Sequence, residues 1–420
     1  MTLMSSSKTP SPPASTLNFS VVLSALVAAR VALTLTGLPD VLRDDHQLAS
    51  PLTSFSQLQE GIYLFNHGVD PYSGGTFRHS PLFLTLFATI LPNSPRICSL
   101  LWTLCDGLGA WALVQIWRAR QNVTSSERDG LIAAVYLFNP YIFLPTLALS
   151  TSSLENTLML ILLMFAARGK ASPALLGLAF LVHFSLSSIV LLSPILLLLN
   201  TDQFSHLASP RPLATSIRKV VPLLGEFVVY FCLLALSSTL VSGGFAWIPQ
   251  TWGATLMLPD LTPNPGLWWY FFTEIFDHFR PFFLMVFTVH LLIYIVPVCI
   301  KFQHDALYAT FILLGIVGAF KAYPTLSDPG LFLSMISLFP EIYPYLRHPI
   351  VTSLLHLHAF LLLPLFHHLW LNQGTGNANF FYASTLVFAC ANGAAIIDCL
   401  WAGLRIAIGK PVEGYSIVQE

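Results

Sequence analysis

Long apolar runs constrain the fold of this chain more than any other feature of its sequence. A run of about 20 residues is enough to cross the ~30 Å hydrocarbon core of a bilayer as an α-helix. Only 9% of the 420 residues are charged, against roughly 25% in a soluble domain. We therefore predict an all-α, polytopic membrane protein. Runs of sufficient length lie at 18–36, 97–117, 130–149, 221–241, 281–300, 350–371 and 381–404.

Four further apolar segments decide the number of spans. They lie at 154–167, 172–199, 305–320 and 330–346. The segment 172–199 is one long tilted helix or a hairpin of two short ones. The hairpin places Arg211, Arg218 and Lys219 in the cytosol, where basic residues concentrate. This choice gives about twelve spans with both termini cytosolic, if each span takes ~20 residues. The basic residues left on the opposite side are Arg43, Arg78, Arg96, Arg280 and Lys321, and Arg30 falls inside the first span.

The predicted organisation is a single polytopic membrane domain over 17–405. It lies between a disordered cytosolic tail at 1–16 and a second cytosolic tail at 406–420. Its lumenal loops, at about 37–96, 242–280, 321–329 and 372–380, are rich in Pro, Gly, Asn and aromatic residues. The apolar run 81–91 is too short to cross and is predicted to be re-entrant or interfacial. The loops share one face, which is where we expect a functional site.

Two groups of ionisable residues in these loops are candidates for catalysis or for binding. Asp44 and Asp45 follow the first span, where a carboxylate can act as a base or hold a cation; a solvated acidic pair is the alternative. Glu274, Asp277 and His278 have the i, i+3, i+4 spacing that shares one face of a helix. That cluster is structural, contacts a lipid headgroup, or carries catalysis or a metal.

A second set of candidates lies at 377–382, at the start of the last apolar run. Asn377 and Asn379 precede Phe380, Phe381 and Tyr382. Amides suit sugar hydroxyls and phosphate esters, and aromatic faces suit a sugar ring or an acyl chain. The alternative is a capped helix start followed by an aromatic belt.

Two interfacial residues complete the candidates. His368, before the last loop, suits a hydrogen-bond donor at the membrane interface or a simple anchor. Lys321, in a polar island with Tyr323 and Asp328, faces an anion such as phosphate or pairs with Asp328.

The sequence offers no catalytic nucleophile. It contains no GxSxG elbow, no phosphate-binding Walker loop and no Cys in a loop near a His. The six cysteines lie in apolar runs. We therefore predict no catalytic residue, no metal site and no cofactor. The 19 basic and 20 acidic residues nearly cancel, so nucleic acid is not an expected partner, whereas membrane lipids and other membrane proteins are.

Four long segments resemble a known family. They are SPLTSFSQLQEGIYLFNHGVDPYSGGTFRHSPL, LPDLTPNPGLWWYFFTEIFDHF, FKAYPTLSD and HLWLNQGTGNANFFYASTL. They are similar, in this order, to the PIG-U subunits of the GPI transamidase complex, and the likeness covers about residues 50–405. It implies a multi-pass protein of the endoplasmic reticulum with a fold like the membrane part of multi-spanning (GT-C type) glycosyltransferases.

The resemblance also implies a function. The chain would be a non-catalytic, accessory subunit that binds or presents the GPI glycolipid for attachment to the C-terminus of proproteins and scaffolds the complex. Other GPI transamidase subunits would be its partners, and the catalytic Cys and His would belong to a caspase-like one. Together, family motifs and loop chemistry nominate as GPI- or lipid-binding residues Asn377, Asn379, Phe380, Phe381, Tyr382, His368, Asp260, Asn264, Tyr270, Glu274, His278, Lys321, Tyr323, Tyr72 and Ser73.

Two other functions compete with this one. The first is a dolichyl-phosphate-mannose-dependent mannosyltransferase that uses the lumenal Asp44/Asp45 pair. The second is a transporter or lipid flippase, which predicts related halves and broken spans near the midplane. No related halves are visible in the sequence.

Overall fold

The computed structural model describes residues 18–211, 217–409 and 414. The predicted tail 1–16 lies outside the described residues, as does most of the predicted tail 406–420. All named elements of the described residues are helices, and their β pairing is limited to one bridge between His206 and Ser209. The chain is therefore all-helical, as its apolar runs predict.

Nineteen α-helices are found in the part of the chain that the structure describes. The first ten are α1 (Phe19–Thr34), α2 (Leu38–Leu42), α3 (Phe55–Asn66), α4 (Pro81–Thr89), α5 (Pro95–Gln121), α6 (Asp129–Phe138), α7 (Pro140–Leu147), α8 (Ser152–Ala167), α9 (Ala171–Phe184) and α10 (Leu192–Asn200). The remaining nine are α11 (Ile217–Ser242), α12 (Trp247–Met257), α13 (Trp269–Glu274), α14 (Arg280–Val289), α15 (Ile295–Lys301), α16 (Ala306–Phe320), α17 (Ser327–Met335), α18 (Pro349–His367) and α19 (Ala378–Ile408). Short 3₁₀ segments lie at Leu186–Leu191, His290–Tyr294, Ile336–Leu338 and Pro340–Tyr345, and a π-helical turn at His368–Asn372.

Five helices are long and apolar enough to cross a membrane, counted over the described residues. They are Pro95–Gln121, Arg218–Ser242, Arg280–Lys301, Pro349–Asn372 and Ala378–Ile408. The pair α6 and α7 would be a sixth span, bent by 54°. The bend falls at Pro140, whose ring removes a backbone donor, and Asn139 caps the new helix by accepting from the amide of Tyr141 at 3.0 Å. The described residues contain five more apolar helices, of 10–17 residues, and the count of twelve stays a prediction.

The segment 172–199 is a hairpin rather than one long helix. Helix α9 ends at Phe184 and Ser185 is extended, after which the chain continues as a 3₁₀ turn and α10. Arg168, just before α9, and Gln203, just after α10, border the same cleft. Helices α9 and α10 therefore run antiparallel. This is the hairpin that the positions of Arg211, Arg218 and Lys219 favour.

The run 81–91 forms a helix too short to span the bilayer. The nine residues of α4 extend about 13 Å at 1.5 Å per residue. Phe83 packs on Phe87, and Phe87 packs on Trp102 with ring centroids 5.7 Å apart. The aromatic side chains hold α4 against α5 at one end of the bundle.

Charges inside the bundle are paired. Arg30 of α1 forms a buried ion pair with Asp106 of α5 and donates to the carbonyl of Leu137 at 2.7 Å. Arg120, at the other end of α5, binds both oxygens of Asp305, at 2.9 and 2.6 Å, and the carboxylate of Glu341 at 2.5 Å. Because an unpaired charge in an apolar interior is very costly, these contacts fix how α5 packs against its neighbours.

The long helices differ in how much of their surface the chain itself covers. In α5, 61% of the most apolar stretch is buried, against 6% in α11 and 11% in Pro349–Asn372. Helix α5 is therefore the most deeply packed of the five long helices, whereas α11 and α18 present apolar faces outward to lipid or to other proteins.

Candidate functional site

The four predicted lumenal loops meet at one end of the bundle, called here the loop-rich end. The hydroxyl of Tyr270, in the loop 242–280, donates to Oδ1 of Asn379, in the loop 372–380, at 2.5 Å. The amide of Leu326, in the loop 321–329, donates to the carbonyl of Gln47 at 3.3 Å. Segments far apart in sequence thus form one surface.

An aromatic cluster joins the second loop to the last one. Its members are Trp269, Tyr270, Trp370, Phe381 and Tyr382. The Trp269 ring lies 5.6 Å from Phe381 and 6.1 Å from Trp370, and Tyr270 stacks on Tyr382 at 4.6 Å. Trp269 and Phe381 are fully buried. Aromatic packing therefore holds the two loops in one arrangement.

The rim of the aromatic cluster is polar and exposed. Asn379 and Glu274 are exposed, and Phe380 is 53% exposed. Partial burial, and then the Glu274 carboxylate, raise the pKa of the Tyr270 hydroxyl above its usual range. The hydroxyl therefore stays protonated and donates to Asn379. The rim offers amide, hydroxyl and carboxylate groups beside aromatic faces, a combination suited to sugar hydroxyls.

Asn377 has a structural contact of its own. Its Oδ1 accepts from the amides of Asn379 and Phe380, at 3.0 and 3.3 Å, and so caps α19. The helix-cap alternative is what the structure shows for this oxygen. Its amide nitrogen donates to no described residue and remains available at the surface.

His368 lies just before the last loop, at the start of the π-helical turn. Its ring is exposed, with Asn372 and Gln373 each at 3.2 Å from a ring nitrogen. The side chain therefore belongs to the loop-rich end, on the same segment as Trp370.

Asp260 and Asn264 shape the second loop. The Asp260 carboxylate accepts from the amide of Thr262 at 2.7 Å, and Asn264, which is buried, accepts from the amide of Gly266 at 2.8 Å. The amide of Asp260 donates to the hydroxyl of Tyr323 at 3.2 Å. These side chains fold the loop by local turns and tie it to the third loop.

Lys321 pairs with Asp328 at 3.0 Å. Asp328 also accepts from the amide of Thr325 at 2.7 Å. Lys321 is only 9% exposed, so of the two interpretations from the sequence the structure shows the ion pair. Glu155 borders the same small polar cavity.

The prediction that Glu274, Asp277 and His278 share a helix face is wrong. Helix α13 ends at Glu274, and the chain turns before α14 begins at Arg280. The Arg280 guanidinium donates to the carbonyls of Phe272 and Ile275 at the end of α13 and pairs with Asp277 at 2.7 Å. The helix that the prediction assumed therefore stops at Glu274, and Arg280 of α14 binds its carboxyl end.

Tyr72 and Ser73 lie apart from the aromatic cluster. Tyr72 is buried with Phe77, and its hydroxyl donates to the carbonyl of His79 at 2.9 Å. Ser73 donates to the carbonyl of Asp70 at 2.8 Å. Burial lowers the pKa of His79 to about 4, so this part of the first loop is a neutral packing core.

The acidic pair of the first loop accepts local hydrogen bonds. Asp44 accepts from the hydroxyl of Ser56 at 3.1 Å, and Asp45 accepts from the amide of Gln47 at 2.8 Å. Over the described residues, no group of three His, Cys, Asp or Glu side chains is placed to hold a metal ion.

Comparison with known proteins identifies the family of this chain. A family model described as "GPI transamidase subunit PIG-U" matches residues 24–388, which include the four loops and the aromatic cluster. The chain belongs to the PIG-U family. It is similar to the GPI transamidase component GAB1 of Saccharomyces cerevisiae, with 33% identity over 375 residues, 88% of this chain and 90% of the relative. It is also similar to the GPI-anchor transamidase component PIGU of Homo sapiens, with 31% identity over 92% of this chain and 93% of the relative.

The sequence of this PIG-U family member does not by itself single out Trp269. The doubled tryptophan at 268 and 269 looks like a local variation, yet the two side chains differ. Trp269 lies at the centre of the aromatic cluster, whereas the indole of Trp268 donates to the carbonyl of Phe320 at 3.1 Å. The sequence feature that points to Trp269 is the uninterrupted aromatic run from 268 to 272, in a loop where solvated side chains are expected.

Proposed function

We propose that this chain is a non-catalytic membrane subunit of GPI transamidase that binds or presents the GPI glycolipid and scaffolds the complex. The observation that carries the proposal is the aromatic cluster with its exposed polar rim, set on an apolar helical bundle. Membership of the PIG-U family and relatives named as transamidase components support it. The mannosyltransferase alternative has no comparable support.

The arrangement suits an amphipathic ligand. Acyl chains would lie against the apolar helix faces, where each buried CH₂ contributes about 0.8 kcal/mol. Sugars would contact the exposed rim at Asn379, Phe380 and Glu274, with the free amide of Asn377 beside them. The role of this chain is then to orient the glycolipid, which accelerates a reaction without any chemistry of its own. A caspase-like subunit would supply the nucleophile.

The proposal also assigns the chain to a membrane and gives it a topology. We assign the chain to the endoplasmic reticulum membrane as a multi-pass protein of about twelve spans, with a bundle like that of GT-C glycosyltransferases and the loop-rich end in the lumen. The contacts among the four loops support a common side for them. At the other end, Arg120 joins Asp305 and Glu341, as expected for segments that share the cytosolic side.

Two sets of variants separate glycolipid presentation from mannosyl transfer. Asn379→Ala is expected to weaken use of the GPI precursor by roughly 3–10-fold, the effect of one lost hydrogen bond. Asp44→Asn/Asp45→Asn should leave anchor attachment near the wild-type level, because asparagine oxygens still accept the local hydrogen bonds. The measurement is attachment of GPI to a reporter proprotein over a range of precursor concentrations, with assembly of the complex followed by co-purification.

Tyr270→Phe is the matched control for Asn379→Ala. It removes the hydrogen bond between the loops but leaves the Asn379 amide free for a ligand. If both variants lose the same activity and the double variant loses no more, Asn379 acts only as a loop contact and the proposed ligand contact is wrong. If the Asp44/Asp45 variant abolishes activity while Asn379→Ala does not, the mannosyltransferase is favoured.

A further inference from the structure

A cleft of about 820 Å³ opens between the end of α1 and the start of α5. It lies apart from the aromatic cluster and contains none of the residues assigned above to the glycolipid. Its polar lining comes from the end of α1, the segment that follows it, Ser94 and the first turns of α5. The side chains and backbone that matter for its chemistry are those of Thr34, Gly37, Arg43, Ser94, Arg96 and Ser99.

The charge of the cleft is positive. Arg43 and Arg96 line it together with a single carboxylate, Asp40. Asp40 pairs with Nη2 of Arg43 at 2.6 Å, while Nη1 of Arg43, on a side chain that is 23% exposed, has no hydrogen-bond partner among the described residues. Arg96 is exposed and forms no ion pair or side-chain hydrogen bond with a described residue. Guanidinium donors in the cleft are therefore left for an anion.

The other wall of the cleft is apolar and faces outward. Leu35 is 79% exposed and Ile97 is 53% exposed at its edge. The exposed stripe continues down α5 through Leu100, Leu104 and Leu108, at spacings of three and four residues that keep to one helix face. Because α5 is a candidate membrane span, the cleft sits at the head of an apolar track. A soluble anion needs no such track, whereas a phospholipid does.

We propose that the cleft between α1 and α5 binds the phosphate group of an anionic membrane phospholipid. Arg96 and the free Nη1 of Arg43 donate to the phosphate oxygens, and an acyl chain lies along the leucine stripe of α5. The two arginines exceed the one carboxylate by one positive charge, which favours a headgroup of net negative charge. The site is independent of glycolipid presentation, and its occupancy would secure α5 at the membrane interface.

The test uses the full chain within its complex, reconstituted in nanodiscs of phosphatidylcholine with a minority of phosphatidylserine. Native mass spectrometry measures how much phosphatidylserine stays bound after release. The wild type should retain it. Arg96→Gln should reduce retention roughly fivefold, the effect of one interfacial cation.

Gly37→Trp gives a second, independent variant. A Cβ at Gly37 would meet no atom within 4 Å, and its φ of −77° suits any residue, so the indole would occupy part of the cleft without straining the backbone. Retention should fall as in Arg96→Gln. Lys219→Gln, which removes an exposed cation at the start of α11, is the matched control and should retain phosphatidylserine like the wild type.

Inorganic phosphate separates a lipid headgroup from a free anion. If phosphate alone raises the melting temperature of the wild type, but not of Arg96→Gln, in pure phosphatidylcholine, the cleft binds free phosphate and its ligand is a soluble anion. If only phosphatidylserine acts, the headgroup is the ligand. Equal retention by the wild type, Arg96→Gln and Gly37→Trp, together with no response to phosphate, overturns the proposal.

Discussion

Replacing Arg120 by leucine is expected to lower the free energy of unfolding by about 3–5 kcal/mol, because it leaves buried carboxylates without their cation. Arg120 and Asp305 are each only 2% exposed in their side chains, and Glu341 shares the same guanidinium. The Arg120 group also lies 4.7 Å from the ring of Phe339. One side chain thus ties α5 to the start of α16 and to the 3₁₀ turn at Pro340–Tyr345.

The measurement is the melting temperature and folded yield of the chain in detergent. Arg211→Leu is the matched control, because Arg211 pairs with Asp202 at 2.8 Å where both side chains are well exposed. That exposed pair should contribute little to stability, because solvent screens it. In Arg120→Leu/Asp305→Asn one stranded charge is removed, so part of the stability should return. Equal losses in Arg120→Leu and Arg211→Leu would show that the buried cluster does not stabilise the bundle.

Replacing Trp269 by alanine is expected to abolish most GPI attachment. The side chain is buried and contacts Phe381, Trp370 and Tyr382 across two loops. Truncation of a buried aromatic residue costs about 3–5 kcal/mol. Most of that loss should appear as separation of the loops, because the contacts of Trp269 with Phe381 and Trp370 join the two segments. Activity should therefore fall by at least about tenfold, since 1.4 kcal/mol already corresponds to that factor.

The readout is surface display of a GPI-anchored reporter in cells that carry the variant as their only copy. Co-purification with the other subunits shows whether the chain still assembles. Trp269→Phe keeps an aromatic ring and should restore part of the activity. Phe276→Ala, which truncates a 73% exposed ring in the same loop, should behave like the wild type. An assembled, fully active Trp269→Ala variant would mean that the aromatic cluster has no part in attachment.

Much of the fold can be predicted from the sequence because bilayer thickness fixes the length of an apolar run. The predicted runs 97–117 and 350–371 correspond to α5 and to Pro349–Asn372. The charges beyond residue 199 predict the hairpin, since positive residues favour one side. Arg30 inside an apolar run predicts a buried partner, but a single sequence cannot say that the partner is Asp106.

The site is less predictable because its geometry depends on contacts between distant segments. Trp269 meets Phe381 across more than a hundred residues, and no local pattern reports that contact. The end of α13 is set by Arg280, so the periodic spacing of Glu274 and His278 is misleading. By contrast, the Asn-x-Asn pattern before an aromatic run does mark the start of α19, because Asn377 caps it. Family resemblance nominates Asn379 as a site residue, and the structure adds its contact with Tyr270.

Crosslinking of a photoactivatable GPI precursor to the purified complex tests the central claim most directly. The comparison is between the wild type and Asn377→Ala/Asn379→Ala, with subunit assembly followed in parallel. We expect the wild-type chain to be labelled within 370–382, and the double variant to be labelled less while the complex stays assembled. Unchanged labelling in the variant, or labelling confined to other subunits, would contradict the account and move the glycolipid site away from this chain.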